Sequence, residues 1–145
     1  SYILPLFIVL AFFLFACGTT KKETKKEDVG PKYETAASGI QYLDVKAGTG
    51  AEPVFGKEVA VHVIAKLEDG TVFEDTYAIK DPLVFVLGDG EAIQGLEESL
   101  LGMKVGGMRK LIIPPDMGYG RRGVGEIIPP NATLYLEVEL VRASQ

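Results

Sequence analysis

The sequence predicts an α+β fold: a twisted, mainly antiparallel β-sheet wrapped around one short α-helix. Three observations predict it. Several segments alternate apolar and polar residues at the period of two that marks half-buried strands. Only one stretch carries apolar residues at helical spacing, with Ile93, Leu96, Leu100 and Leu101 at i, i+3, i+7 and i+8. With no second helix to receive that stripe, the helix must lie across the sheet.

The strands follow in order. Gly39 to Lys46 reads as the first, and a loop holding Gly48, Gly50, Pro53 and Gly56 follows it. From Glu58 to Glu68 the alternation puts Val59, Val61, Val63, Ala65 and Leu67 on one face and His62 and Lys66 on the other. Asp69-Gly70 is a strong hairpin signal, and Thr71 to Phe73 returns as the paired strand. Thr76 to Pro82 reads as loop and Leu83 to Leu87 as strand. The helix comes next, with Glu97 and Glu98 expected in water and Gly102 ending it where a left-handed residue is needed. Met108 to Ile113 is another strand. Pro114 to Pro130, with two proline pairs and four glycines, is a long loop. A last strand closes the chain, with Leu134, Leu136, Val138 and Leu140 inward and Tyr135, Glu137 and Glu139 outward.

Composition narrows the function. The 145 residues make a one-domain length, and a net charge of −5 argues against nucleic acid, whose binding rests on basic patches. Residues 21–26 hold the one basic cluster, diluted by acids. One Cys and one His argue against a protein-only zinc site and a Ser/His triad, and no disulfide can form within the chain. No metal or cofactor is expected.

The N-terminus reads as a targeting segment. Tyr2 to Ala16 is almost unbroken apolar sequence, short for a membrane-spanning helix and suited to a signal-peptide core. Leu14 to Cys17 resembles a bacterial lipobox, in which the cysteine is lipidated and begins the mature protein. Phe15 is bulky for that pattern, and the initiator Met and a positive leading segment are missing. An ordinary secretory signal or a membrane anchor with an incidental Cys is the alternative. Residues 1–16 are thus expected as signal peptide, truncated at its start, and 17–37 as a flexible tether too charged to pack. Residues 38–145 are expected as the globular domain. The implied location is the cell envelope, lipid-anchored at Cys17, with Gly18 favouring the outer membrane in a Gram-negative cell.

The globular part resembles the FKBP-type peptidyl-prolyl cis–trans isomerases. The motifs that carry the likeness are Val61-His62, then Leu67 to Glu74, Pro82 with Phe85, Leu87 and Gly88, and Ile93 to Glu98. They continue with Leu101, Met103, Val105 and Gly106, then Pro115, Asp116, Tyr119 and Gly120, and last Gly125 with Ile127 to Leu134. Their order and spacing run from Gly39 to Val141 without apparent gaps.

The chemistry of that family explains a site with no nucleophile. A peptide bond resists rotation by about 18–20 kcal/mol because nitrogen lone-pair density is shared with the carbonyl. Xaa-Pro is the bond where both isomers lie close in energy and exchange slowly. An enzyme need only favour the twisted amide. A dry apolar pocket does so, because water stabilises the planar, charge-separated form more, and a few placed hydrogen bonds hold the carbonyls.

By resemblance, Phe73, Ile93, Leu96, Ile128 and Leu136 would line the proline pocket, with Val63, Leu83, Ala92 and Val124 around it. Tyr119 would donate its hydroxyl to one substrate carbonyl and the Ile93 backbone N–H would hold a second. Glu74 stands at an acidic position that usually carries Asp. Without the motif, Phe73, Ile93 and Leu136 read as ordinary core, Tyr119 as a loop tyrosine capping Gly120, and Glu74 with Asp75 as a solvated turn pair. His62 matches a structural strand histidine.

The departures concern aromaticity. Val63 stands where a pocket tyrosine is usual, Leu83 and Leu136 replace phenylalanines, and Leu96 replaces the tryptophan of the pocket floor. Val124 replaces a loop aromatic or His, and Ala92 is small for its place. The pocket stays apolar but loses ring walls that give contact area with few torsions to freeze. The expectation is isomerase activity at a reduced level, with macrolide inhibitor affinity reduced further. The competing reading is a peptide-binding or chaperone module that keeps the groove without catalysis. The implied partners are Xaa-Pro segments of folding proteins and a membrane. A monomer is expected, since relatives that dimerise carry a long helical N-terminal domain.

Overall fold

A computed structural model describes residues 30–145 of the chain. The expected signal segment 1–16, Cys17 and the expected tether up to residue 29 lie outside the described residues.

The expected antiparallel sheet is present. Its strands are β1 (Glu34–Thr35), β2 (Gln41–Lys46), β3 (Glu58–Lys66), β4 (Val72–Asp75), β5 (Leu83–Val86), β6 (Met108–Ile113) and β7 (Leu134–Ala143). They run in the spatial order β1-β2-β6-β7-β3-β4, with β5 also paired to β3. β3 is the axle, flanked by β7 on one side and by β4 and β5 in succession on the other. Its alternation decides the core: Val59, Val61, Val63 and Ala65 are buried on the same face as Leu134, Leu136, Val138 and Leu140 of β7. Each buried Val or Leu side chain among them contributes roughly 1.5–3 kcal/mol of transfer free energy. At the β3–β4 turn, Gly70 takes φ +88° and donates its N–H to the Leu67 carbonyl, as the Asp-Gly pair requires.

The helix α2 (Gln94–Ser99) packs on this face through Leu96, with Leu100 just beyond its end fully buried. It lies close to β6 because Gly95 has no side chain: a Cβ there would stand 2.5 Å from Ile113 Cγ2. Leu101, expected on the buried stripe, is instead 40% exposed, because the helix has already ended at Ser99. The buried Arg109 of β6 fastens the helix end to the sheet. It donates to the Ser99 carbonyl at 2.6 Å and to Asp44 at 2.6 Å, and lies over the Tyr42 ring.

Two segments correct the sequence reading. Residues Thr76–Ile79, expected as loop, form a one-turn helix, α1. Asp75 caps it, its Oδ1 accepting from the Tyr77 and Ala78 N–H groups at 3.0 Å each. The Thr76 hydroxyl is buried and accepts from the Val63 N–H at 2.8 Å, so β3 pins the start of the turn. The second correction concerns the tether expected to reach residue 37. Glu34 and Thr35 pair with Tyr42 and Gln41, so ordered structure begins ahead of that boundary.

Candidate active site

The inward faces of β3, β4, β5 and β7 meet α2 and two loops around a cavity of about 360 Å3. Val63 and Ala65 come from β3, Phe73 and Glu74 from β4, Leu83 from β5 and Leu136 from β7. Opposite them stand Gly90, Glu91, Ala92 and Ile93 on the β5–α2 loop, Leu96 of α2, and Tyr119. Tyr119 follows a 3-10 turn at Pro115–Met117. Its loop is knotted by Gly120 N–H to the Pro115 carbonyl at 2.7 Å and Asn131 N–H to the Gly120 carbonyl at 2.8 Å.

Nine of the residues expected at the site therefore share one cavity: Val63, Phe73, Glu74, Leu83, Ala92, Ile93, Leu96, Tyr119 and Leu136. Two do not line it. Ile128 is buried in the core at 3% exposure, its backbone bridged to Val124, while Val124 is 42% exposed on the same loop turn. Ala65, Gly90 and Glu91 line the cavity and were not expected. The Ala65 position was available from the alternation of β3, since it shares a face with Val63. Gly90 and Glu91 lie in a loop with no period to read.

The electrostatics are simple. Burial, and then the negative charge of Glu74, push the Tyr119 hydroxyl above its ordinary value of 10.0, so the phenol stays a protonated donor. The Ile93 N–H precedes α2 and has no protein acceptor among the described residues, while its carbonyl accepts from Leu96 and Glu97 N–H groups at 3.0 and 3.2 Å. An apolar floor with one phenol and one free backbone donor suits a neutral, extended peptide that offers carbonyl oxygens. His62 lies away from the cavity. Its Nδ1 is 2.9 Å from the Thr76 hydroxyl and its ring stacks on Tyr77, which is the structural placement expected of it. Among the described residues no group of His, Cys, Asp and Glu side chains is arranged to hold a metal ion.

A family model for the FKBP-type peptidyl-prolyl cis-trans isomerases matches residues 50–141. The chain belongs to this family. The FK506-binding protein of Neisseria meningitidis serogroup A is 50% identical over 99 residues, which span 68% of this chain and 91% of that protein. FK506-binding protein 1 of Dictyostelium discoideum is 47% identical over 103 residues, 71% of this chain and 96% of its own length. Among solved structures, AtFKBP13 superposes with a TM-score of 0.73 at 34% identity, covering 78% of this chain and 99% of that one. FkpA from Escherichia coli gives 0.71 at 40% identity and covers 76% of this chain, which spans only 50% of the FkpA chain. Membership makes this FKBP-type chain a peptidyl-prolyl cis-trans isomerase, and its α+β fold is that of its structural neighbours.

Proposed function

We propose that this FKBP-type chain isomerises Xaa-Pro bonds in protein segments folding outside the cytoplasm, held at a membrane by a lipid on Cys17. The observation that carries the catalytic part is the shared cavity, where Phe73, Ile93, Leu96 and Leu136 surround space for a pyrrolidine ring beside the Tyr119 phenol. The proline ring sits among these side chains and leaves water behind. The planar amide loses the solvation that favours its charge-separated form, while the twisted amide loses little. The Tyr119 hydroxyl and the Ile93 N–H hold flanking carbonyls, so one end of the peptide stays fixed while the other rotates. Glu74 helps keep the phenol protonated. No bond is made or broken, and no group on the protein changes its charge.

The test is NMR exchange spectroscopy on a short Ala-Pro peptide with residues 30–145. Accelerated exchange is expected, with Tyr119→Phe reducing it about tenfold, near the ~0.5–1.5 kcal/mol worth of one neutral hydrogen bond. A Tyr119→Phe protein as fast as the original would remove the phenol from the mechanism. The four aliphatic residues Val63, Leu83, Leu96 and Leu136 support a second reading, a peptide-binding module. Peptide shifts on titration without accelerated exchange, in a folded sample, would favour it.

The lipid anchor rests on the Leu14–Cys17 pattern followed by the polar run from Lys21. In bacterial cells expressing the chain, radiolabelled palmitate should enter the protein and be lost in Cys17→Ser. Label retained by Cys17→Ser would overturn the anchor.

A further inference from the structure

The loop Gly88–Ala92 forms one wall of the cavity, yet it has almost no backbone pairing of its own. Of its amides, only Asp89 donates to a backbone carbonyl, that of Val86 at 3.3 Å. Gly88 and Gly90 hold φ values of +94° and +76°, conformations in which glycine is least constrained by sterics. Glu97 supplies what the backbone lacks. Its Oε2 accepts from Gly88 N–H at 3.1 Å, and its Oε1 accepts from Gly90 N–H at 3.2 Å and Ala92 N–H at 3.4 Å. The carboxylate has no cationic partner in any ion pair among the described residues.

We infer that Glu97 is a positioning residue for the isomerase site, holding the cavity loop so that the Ile93 N–H and the Ala92 and Glu91 wall stand ready for substrate. The geometry closes around one peptide unit. The Ala92 N–H is tied to the Glu97 carboxylate, and the Ile93 carbonyl accepts from the Glu97 backbone N–H. The Ala92–Ile93 peptide, which carries the free Ile93 donor, is thus held on both sides by the same residue. A carboxylate suits this task because all its lone pairs accept, and bonds to a charged acceptor are the stronger kind. The sequence pattern hid the role: Glu97 sits on the polar side of the helical stripe and reads as a solvated acid.

The inference rests on the proposed use of the cavity, and its test separates the two. Residues 30–145 would be compared as the original protein, Glu97→Gln and Glu97→Ala, reading Ala-Pro exchange kinetics, amide hydrogen exchange at 88–93 and the melting temperature. Glu97→Gln keeps one carbonyl oxygen and should fall between the other two. Glu97→Ala should lose about tenfold to a hundredfold in kcat/KM, the scale of misplacing a group by about an ångström. The loss should appear more in KM than in kcat, because the loop binds peptide before and during rotation. Amides 88, 90 and 92 should exchange faster while those of β3 and β7 do not. Kinetics within twofold of the original in both variants would overturn the inference. So would unchanged protection of the three amides, or protection lost equally from the β3 and β7 core. If the original protein accelerates no exchange, the catalytic reading fails; the positioning role is then decided by peptide affinity and the same amide protection.

Discussion

The cavity has two unlike walls. On the sheet side, Val63, Ala65 and Leu136 project from strands β3 and β7, whose backbones are paired over eight positions, and the same alternation that faces them inward builds the core. On the other side, Gly90, Glu91 and Ala92 stand on a loop with one backbone hydrogen bond, supported by the Glu97 carboxylate and by Glu91, which accepts from the Val86 N–H at 3.0 Å. A wall made by a ladder is stabilised by everything that stabilises the fold. A wall made by a loop can be tuned separately, because few core contacts depend on it.

That contrast can be broken from the sheet side first. Leu136 is 4% exposed and serves both core and cavity, so Leu136→Ala should cost about 2–5 kcal/mol of stability together with activity. Chemical denaturation read beside exchange kinetics checks it. A variant that loses activity with stability intact would show that the sheet wall is as separable as the loop. Glu97→Ala is the matched experiment on the loop, expected to change kinetics far more than melting temperature.

The smallest effect concerns pH. Burial and Glu74 hold the Tyr119 proton on above the ordinary phenol value. Because the protonated form is the donor, activity should persist through the pH at which a free phenol ionises and decline only above it. Glu74→Gln removes the second cause, so the decline should move toward lower pH. Superimposable alkaline limbs for the two proteins would detach Glu74 from the phenol.

What could be read from sequence divides along the same line as the walls. The faces of β3 and β7 were legible because a period of two survives over nine and ten residues. Strand β6 was legible to its ends for the same reason; Gly102 takes the left-handed φ of +80° expected of it but stands three residues beyond the helix end at Ser99, so it does not end the helix. One turn of helix at Thr76–Ile79 is too short to show a period, and its cap is a side chain that looks like any turn aspartate. Strand β1 has two residues, so only its partner in β2 identifies it. Glu97 and Glu98 read as solvent-facing, yet one holds the cavity loop and the other accepts from Ser38. Ile128, expected in the pocket by motif, is buried in the core cluster and does not line the cavity. Patterning reports burial; it does not report which polar atom answers which amide.

Strand β1 also sets how the domain bears mechanical load. It lies at one end of the strand order and β4, with Phe73 and Glu74, at the other. Five interstrand steps of about 4.8 Å separate them along the sheet. Tension drawn through the N-terminal segment meets the Glu34 and Thr35 pairs with β2 before anything else. Those two rungs would peel first, as a fuse, while the strands that shape the cavity stay seated. A pull from whatever precedes residue 30 would reach the far margin of the sheet first.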